Sequence, residues 1–179
     1  MRKSLSFQIR GTVQGVGFRP WVFRLAHQFH LNGFVRNTAQ GVYMEIEGPE
    51  NDVAGFVHQI RTEPPVNCVM TECIQMEMVN KGFDQFQIRS SKDEAHHSAI
   101  VLPDLATCPD CVKEIYDKDN RRYLYPFTNC THCGPRYSII ESLPYDRKNT
   151  SMKKFVMCPA CQNEYNDPAD IVTTVESWF

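Results

Sequence analysis

Two helices on one face of an antiparallel sheet, followed by a small cysteine-built module, is the α+β architecture that the 179 residues predict. Three observations carry that expectation. Residues 4–10 alternate polar and apolar side chains, the pattern of a half-buried strand. Two later stretches repeat apolar residues at helical spacing and are separated by further alternating runs. Six of the eight cysteines stand in Cys-x-x-Cys pairs, all of them beyond residue 107.

The elements follow in order. Leu5, Phe7 and Ile9 face one way, and Ser4, Ser6, Gln8 and Arg10 the other. A glycine-rich loop comes next. Phe18, Val22, Leu25, Ala26 and Phe29 then mark a helix, with Pro20 in its first turn and Asn32-Gly33 as its stop. Phe34–Thr38 and Val42–Glu47 read as two strands about a turn at Ala39-Gln40-Gly41. Val53, Phe56, Val57 and Ile60 mark a second helix, starting near Asn51 or Asp52 and stopped by Pro64-Pro65. Ile74, Met76 and Met78 alternate along a long strand, and Phe86 and Ile88 form a last short one. The order βαββαβ places both helices on one side of the sheet. These elements define a first unit over residues 1–90. Residues 91–106 begin polar and read as a linker, and 107–179 form the cysteine-rich region.

Composition narrows the function classes. A formal charge of −2 argues against a protein-wide nucleic-acid surface. Nine basic residues against five acidic ones between Lys113 and Lys154 form a local excess, read as a solvated face around a metal site. No apolar run approaches the ~18 residues of a membrane span. The start, MRKSLSFQIR, lacks the apolar core of a secretory leader, so a cytoplasmic location is expected. His27, His30 and His58 read as surface residues, Glu45 and Glu47 as solvated, and Cys68 and Cys73 as small apolar side chains.

The loop GTVQGVGFRP at 11–20 joins a strand to a helix start. Backbone N–H groups there lack intrahelical partners, and the helix dipole is positive, so an anion fits. Gly15 and Gly17 let the chain curl without Cβ clashes, and Arg19 adds a planar, permanently charged fork. The competing reading is a tight turn with a surface arginine. The spacing is neither a Walker A loop nor the dinucleotide fingerprint.

Cys108-x-x-Cys111 and Cys130-x-x-Cys133 are separated by eighteen residues, a spacing suited to four thiolates around one tetrahedral zinc. Rubredoxin-like iron and an iron–sulfur cluster are the alternatives, and His132 is expected outside the coordination shell. CPDCVKEIYD at 108–117 and CPACQNEYND at 158–167 share Cys, Pro, Cys, Glu and Asp at a period of fifty, an internal repeat. The second copy has no further cysteine pair. Cys158 and Cys161 are therefore half a metal site, expected to bind weakly or to borrow ligands from another chain.

The strings GTVQGVGFRP and GFVRNTAQGVYMEIEG (33–48) resemble acylphosphatases over about residues 5–90. That resemblance implies a ferredoxin-like sandwich. It implies that the loop amides of Gln14, Gly15, Val16, Gly17 and Phe18, with Arg19, cradle the phosphate of an acyl phosphate. It also implies that Asn37 orients the attacking water; by local context alone Asn37 is a polar residue flanking a turn. The acylphosphatase-like half followed by paired cysteine fingers resembles the N-terminal part of the HypF carbamoyltransferases of NiFe-hydrogenase maturation, up to about Asp170. For that family the resemblance implies carbamoyl phosphate and ATP as substrates. It also implies a carbamoyl adenylate and transfer to a cysteine of the partner HypE, feeding cyanide-ligand synthesis. The end, IVTTVESWF, departs from the family pattern, and a truncation or frame change is expected. Two other classes stay open: a non-catalytic zinc module that docks a partner, and, less favoured, a nucleic-acid-binding ribbon.

Overall fold

The computed structural model describes residues 2–91, 100, 103–125, 128–130 and 133–167. Most of the linker, His132 and the tail from residue 168 lie outside these, so the expectations placed on them do too.

The first half runs β1 (Arg2–Thr12), α1 (Phe18–Gln28), β2 (Asn32–Thr38), β3 (Gly41–Pro49), α2 (Glu50–Thr62), β4 (Val69–Glu77) and β5 (Phe86–Ile88). The strands lie in the order β4-β1-β3-β2-β5. The long strand β1 is central, paired antiparallel with β3 on one side and β4 on the other. The expected all-antiparallel sheet needs one correction: β5 pairs parallel with β2, through Gly33–Phe86, Phe34–Gln87 and Val35–Ile88. Strand β5 runs alongside β2 because the chain crosses the sheet before entering it.

The alternation of β1 does what the sequence requires. Leu5, Phe7 and Ile9 are buried together with Val22, Leu25 and Ala26 of α1 and Val53, Phe56 and Ile60 of α2. Each such side chain removed from water stabilises the fold by about 1.5–3 kcal/mol. Strand β4 departs from its pattern. Its pairing with β1 sets Cys73 opposite Ile9 and Gln75 opposite Phe7, on the core face, and the register shifts only beyond these pairs, between Arg10 and Gly11. Ile74 and Met76 then point away from the helices and are exposed. Helix α1 also ends earlier than expected. Phe29 is its C-cap, His30 takes the left-handed turn at φ 51°, and Gly33 already lies inside β2.

Glu45 and Glu47 are buried, against the expectation that they are solvated. Both face the segment that leads into β5. Glu45 accepts from the Tyr43 hydroxyl at 2.8 Å and pairs with Lys81 Nζ at 2.8 Å. Glu47 accepts from the backbone N–H of Lys81, of Gly82 at 3.0 Å and of Phe83 at 3.2 Å. These carboxylates tie a segment without regular structure to the sheet, which their polar spacing alone could not reveal. Cys68 and Cys73 pack against the apolar core, as small hydrophobic side chains do.

The second half holds two eight-residue helices, α3 (Pro109–Tyr116) and α4 (Pro159–Asn166), joined through 3-10 turns. Both begin on the first cysteine of a Cys-Pro-x-Cys run, with nearly identical cap angles: φ −71°, ψ 161° at Cys108 and φ −66°, ψ 160° at Cys158. The repeat seen in sequence is thus a repeat in backbone.

Replacing Glu47 by Ala leaves three backbone donors without their acceptor. A loss of about 3 kcal/mol in urea-induced unfolding is expected, against little change for the exposed Glu72→Ala.

Candidate active site and metal centre

The loop from Val13 to Gly17 forms because its glycines permit it. Gly15 and Gly17 both take φ 72°, a left-handed backbone that a side chain resists. Gly17 caps α1, and Trp21 N–H donates to its carbonyl at 3.0 Å. Val16 and Phe18 put their side chains in the core, so only their backbone faces outward. Among the described residues, no acceptor takes the N–H groups of Gly15, Val16, Gly17 or Phe18. Arg19, in the first turn of α1, stands beside them with its side chain 17% exposed.

Asn37 lies near the end of β2 and is buried. Its Oδ1 is enclosed and has no hydrogen-bond partner, whereas its Nδ2 donates to the carbonyl of Tyr145 at 3.3 Å. A buried acceptor left unpaired costs about 1–3 kcal/mol. Gln14 is different. Its Nε2 donates to the carbonyls of Thr38 and Gly41, both at 2.8 Å, and its Oε1 accepts from Tyr145 N–H at 2.8 Å. The side chain is fully used as a brace, and only the backbone of Gln14 faces the loop.

The far wall of this crevice comes from the second half. Asp146 Oδ1 accepts from Arg19 Nη2 at 2.9 Å, and the same nitrogen lies 3.5 Å from the Tyr145 carbonyl. Ser91, at the exit of the first half, donates its hydroxyl to Asp146 Oδ2. Gly15 packs so tightly on Pro135 that an added Cβ would sit 2.6 Å from the proline's own Cβ. Loop, arginine and asparagine thus all meet the segment that follows the cysteine pairs.

Cys108, Cys111, Cys130 and Cys133 gather their sulfurs within 4.8 Å of one another. The sulfur separations are 3.5 Å for Cys108–Cys130, 3.7 Å for Cys111–Cys133 and 4.0 Å for Cys130–Cys133. Four thiolates around a tetrahedral ion with metal–sulfur bonds of about 2.3 Å would stand about 3.8 Å apart, so the set fits a metal. Cys108 N–H donates to Cys133 Sγ at 3.1 Å. Contact with Cys130, burial and the other sulfurs push the Cys111 thiol far up.

Comparison with known proteins agrees with both halves. The acylphosphatase family model matches residues 5–88, and the HypF finger model matches residues 107–140. An acylphosphatase of Syntrophotalea carbinolica is 35% identical over 83 residues, which cover 46% of this chain and 90% of that protein. The carbamoyltransferase HypF of Synechocystis sp. is 46% identical over 156 residues, a match that runs through both halves and covers 87% of this chain. Over residues 5–88 the chain belongs to the acylphosphatase family, and its two halves together are similar to one part of the longer HypF proteins. It spans about a fifth of the length of the Synechocystis HypF, whose matched share is 20%. A crystal structure of full-length HypF in its phosphate- and nucleotide-bound form superposes with a TM-score of 0.91 at 44% identity, over 98% of this chain and 23% of that one.

The third cysteine pair stands apart from the four-cysteine group. Arg121 stands against it, with Nη1 3.2 Å from Cys161 Sγ and 4.0 Å from Cys158 Sγ. Glu164 on α4 closes the group by pairing with Arg121 and with Arg122 at 2.7 Å, and Arg122 also reaches Glu114 of α3 at 3.4 Å. The guanidinium supplies positive charge where the sequence leaves half a site. These pairings, with Lys153–Glu141, also use several of the cations counted as a local excess.

Sequence reasoning missed Pro135, Tyr145, Asp146 and Ser91. Asp146 was visible only as one acid among several, and LPYDR has no periodicity to mark it. His27, His30 and His58 are exposed, as expected.

The thiols differ in reactivity. The Cys161 N–H and side chain at the start of α4, with Arg121, hold the exposed Cys158 below the ordinary thiol range, whereas burial pushes Cys68 up to about 12. With iodoacetamide at about pH 8 the thiolate fraction favours Cys158, so peptide mass spectrometry should find it labelled first and well ahead of Cys68.

Proposed function

We propose that the first half of this chain binds carbamoyl phosphate and hydrolyses it to carbamate and phosphate, the opening step of a carbamoyl transfer. The unpaired, buried Oδ1 of Asn37 beside Arg19 carries the reading. In this scheme the N–H groups of Gln14, Gly15, Val16, Gly17 and Phe18 surround the phosphoryl oxygens, and Arg19 adds a charge-assisted contact. Asn37 Oδ1 accepts one hydrogen of a water and turns a lone pair of that water toward phosphorus. The water oxygen bonds to phosphorus, the bond from phosphorus to the acyl oxygen breaks, and carbamate leaves with the electron pair. The water's proton passes to solvent. The leaving group is a weak base and needs no general acid, so positioning and charge stabilisation are the protein's contribution.

The wider HypF family scheme, in which activated carbamoyl passes to a cysteine of HypE for cyanide-ligand synthesis, belongs to the longer protein and is proposed on the same basis. Zinc is the proposed occupant of the Cys108, Cys111, Cys130 and Cys133 set. Sulfur-only, closed coordination without redox change suits it, and it serves structure there. Cys158 and Cys161 are proposed as a weaker half-site that needs ligands from elsewhere. A cytoplasmic setting, where thiols stay reduced, agrees with these free cysteines, and no described helix is long and apolar enough to cross a membrane.

Two measurements test this. Arg19→Ala is expected to remove detectable phosphate release from carbamoyl phosphate, and Asn37→Ala to lower kcat by about 100-fold with a smaller change in KM. Equal loss in kcat and in phosphate binding at Asn37 would make it a binding residue, and no turnover by the unaltered chain would favour a docking module. Elemental analysis of the purified chain is expected to find a single tightly held zinc per molecule, matching the one described four-cysteine group.

A further inference from the structure

We infer that Tyr145 and Asp146, carried by the cysteine-rich half, are positioning residues for the acyl-phosphate site of the first half. The inference rests on the hydrolytic reading above and adds to it residues that the loop and β2 do not contain.

The argument begins with the Asn37 amide. Its oxygen and nitrogen can exchange places by a half-turn of the side chain, and the two arrangements do opposite things to a nearby water. The carbonyl of Tyr145 can only accept. Lying 3.3 Å from Nδ2, it selects the arrangement in which nitrogen faces the strap formed by Tyr145 and Asp146 and Oδ1 stays unpaired. In the reversed arrangement the amide would offer N–H to the water and occupy the lone pair that attack requires. The backbone of Tyr145 therefore decides whether Asn37 can work.

Asp146 acts in the same way on Arg19. A guanidinium has five N–H groups in one plane. The carboxylate engages Nη2 at 2.9 Å, and its second oxygen takes the Ser91 hydroxyl, which fixes the carboxylate's own orientation. Nε and Nη1 have no described partner and remain for phosphoryl oxygens. The strap is itself registered. Tyr145 N–H donates to Gln14 Oε1, and Gln14 is braced on the carbonyls of Thr38 and Gly41, so one glutamine ties the strap, the loop and the β2–β3 turn together. Two adjacent residues thus set two groups of the site from more than a hundred residues away in sequence.

The same contact admits an opposite role, in which Asp146 is an internal anion that holds the arginine away from phosphate. The test separates the two. In the full chain, Asp146→Asn is expected to lower kcat for carbamoyl phosphate about 10-fold or more, with a smaller change in KM and in inhibition by inorganic phosphate. Asp146→Glu is expected to recover part of that loss. Tighter phosphate inhibition and a lower KM with kcat unchanged would overturn the proposal in favour of a competing anion, and no change in any of these would make Asp146 a bystander. If Asp146→Asn does not fold, or if the unaltered chain does not turn over, the decision moves to nitrogen-15 NMR of the unaltered protein. Slow guanidinium rotation at Arg19 and a single Asn37 amide environment are expected there. Fast rotation at Arg19, or two Asn37 environments, would overturn the positioning role independently of whether hydrolysis is the function.

Discussion

The main chain of Tyr145 is the point at which the molecule becomes one object. Its N–H is taken by Gln14 and its carbonyl by Asn37, both buried side chains of the other half. Buried polar contacts of this kind are costly to leave unmade, which makes the relative placement of the halves specific as well as adhesive. The apolar core of the sheet and helices would form without them. The crevice between loop and strap would not.

That division explains what could be read from sequence. Strand and helix periodicities in the first half are local consequences of a one-faced core, so Leu5-x-Phe7-x-Ile9 and the Phe18–Phe29 spacing translate directly into β1 and α1. The Cys-x-x-Cys pairs translate because metal geometry demands that spacing. Three features failed to translate, each for a tertiary reason. The parallel pairing of β5 depends on where the chain re-enters the sheet. The outward face of β4 follows from its register against β1, which no period reveals. The burial of Glu45 and Glu47 reflects an irregular segment folded over them. Resemblance singles out Arg19 and Asn37, whereas Tyr145 and Asp146, which face them, sit in a stretch with neither period nor motif.

The two Cys-Pro-x-Cys helices show how one local code serves different surroundings. Proline fixes the first turn, and the cysteine ahead of it caps the helix with the same backbone angles in both copies. Around the first copy, two more cysteines complete a closed sulfur set. Around the second, a guanidinium and Glu164 take up the charge. The backbone repeats faithfully because it depends only on adjacent residues, and the chemistry differs because it depends on distant ones.

The contact between Gly15 and Pro135 has a mechanical corollary. Pro135 is two peptide units from Cys133, a reach of at most about 7 Å, and the intervening Gly134 is locked in a left-handed bend. The sulfur cluster and the glycine loop are consequently joined through one short segment. Any change in the spacing of the sulfurs would reach the loop through a single pyrrolidine ring packed against the Gly15 backbone.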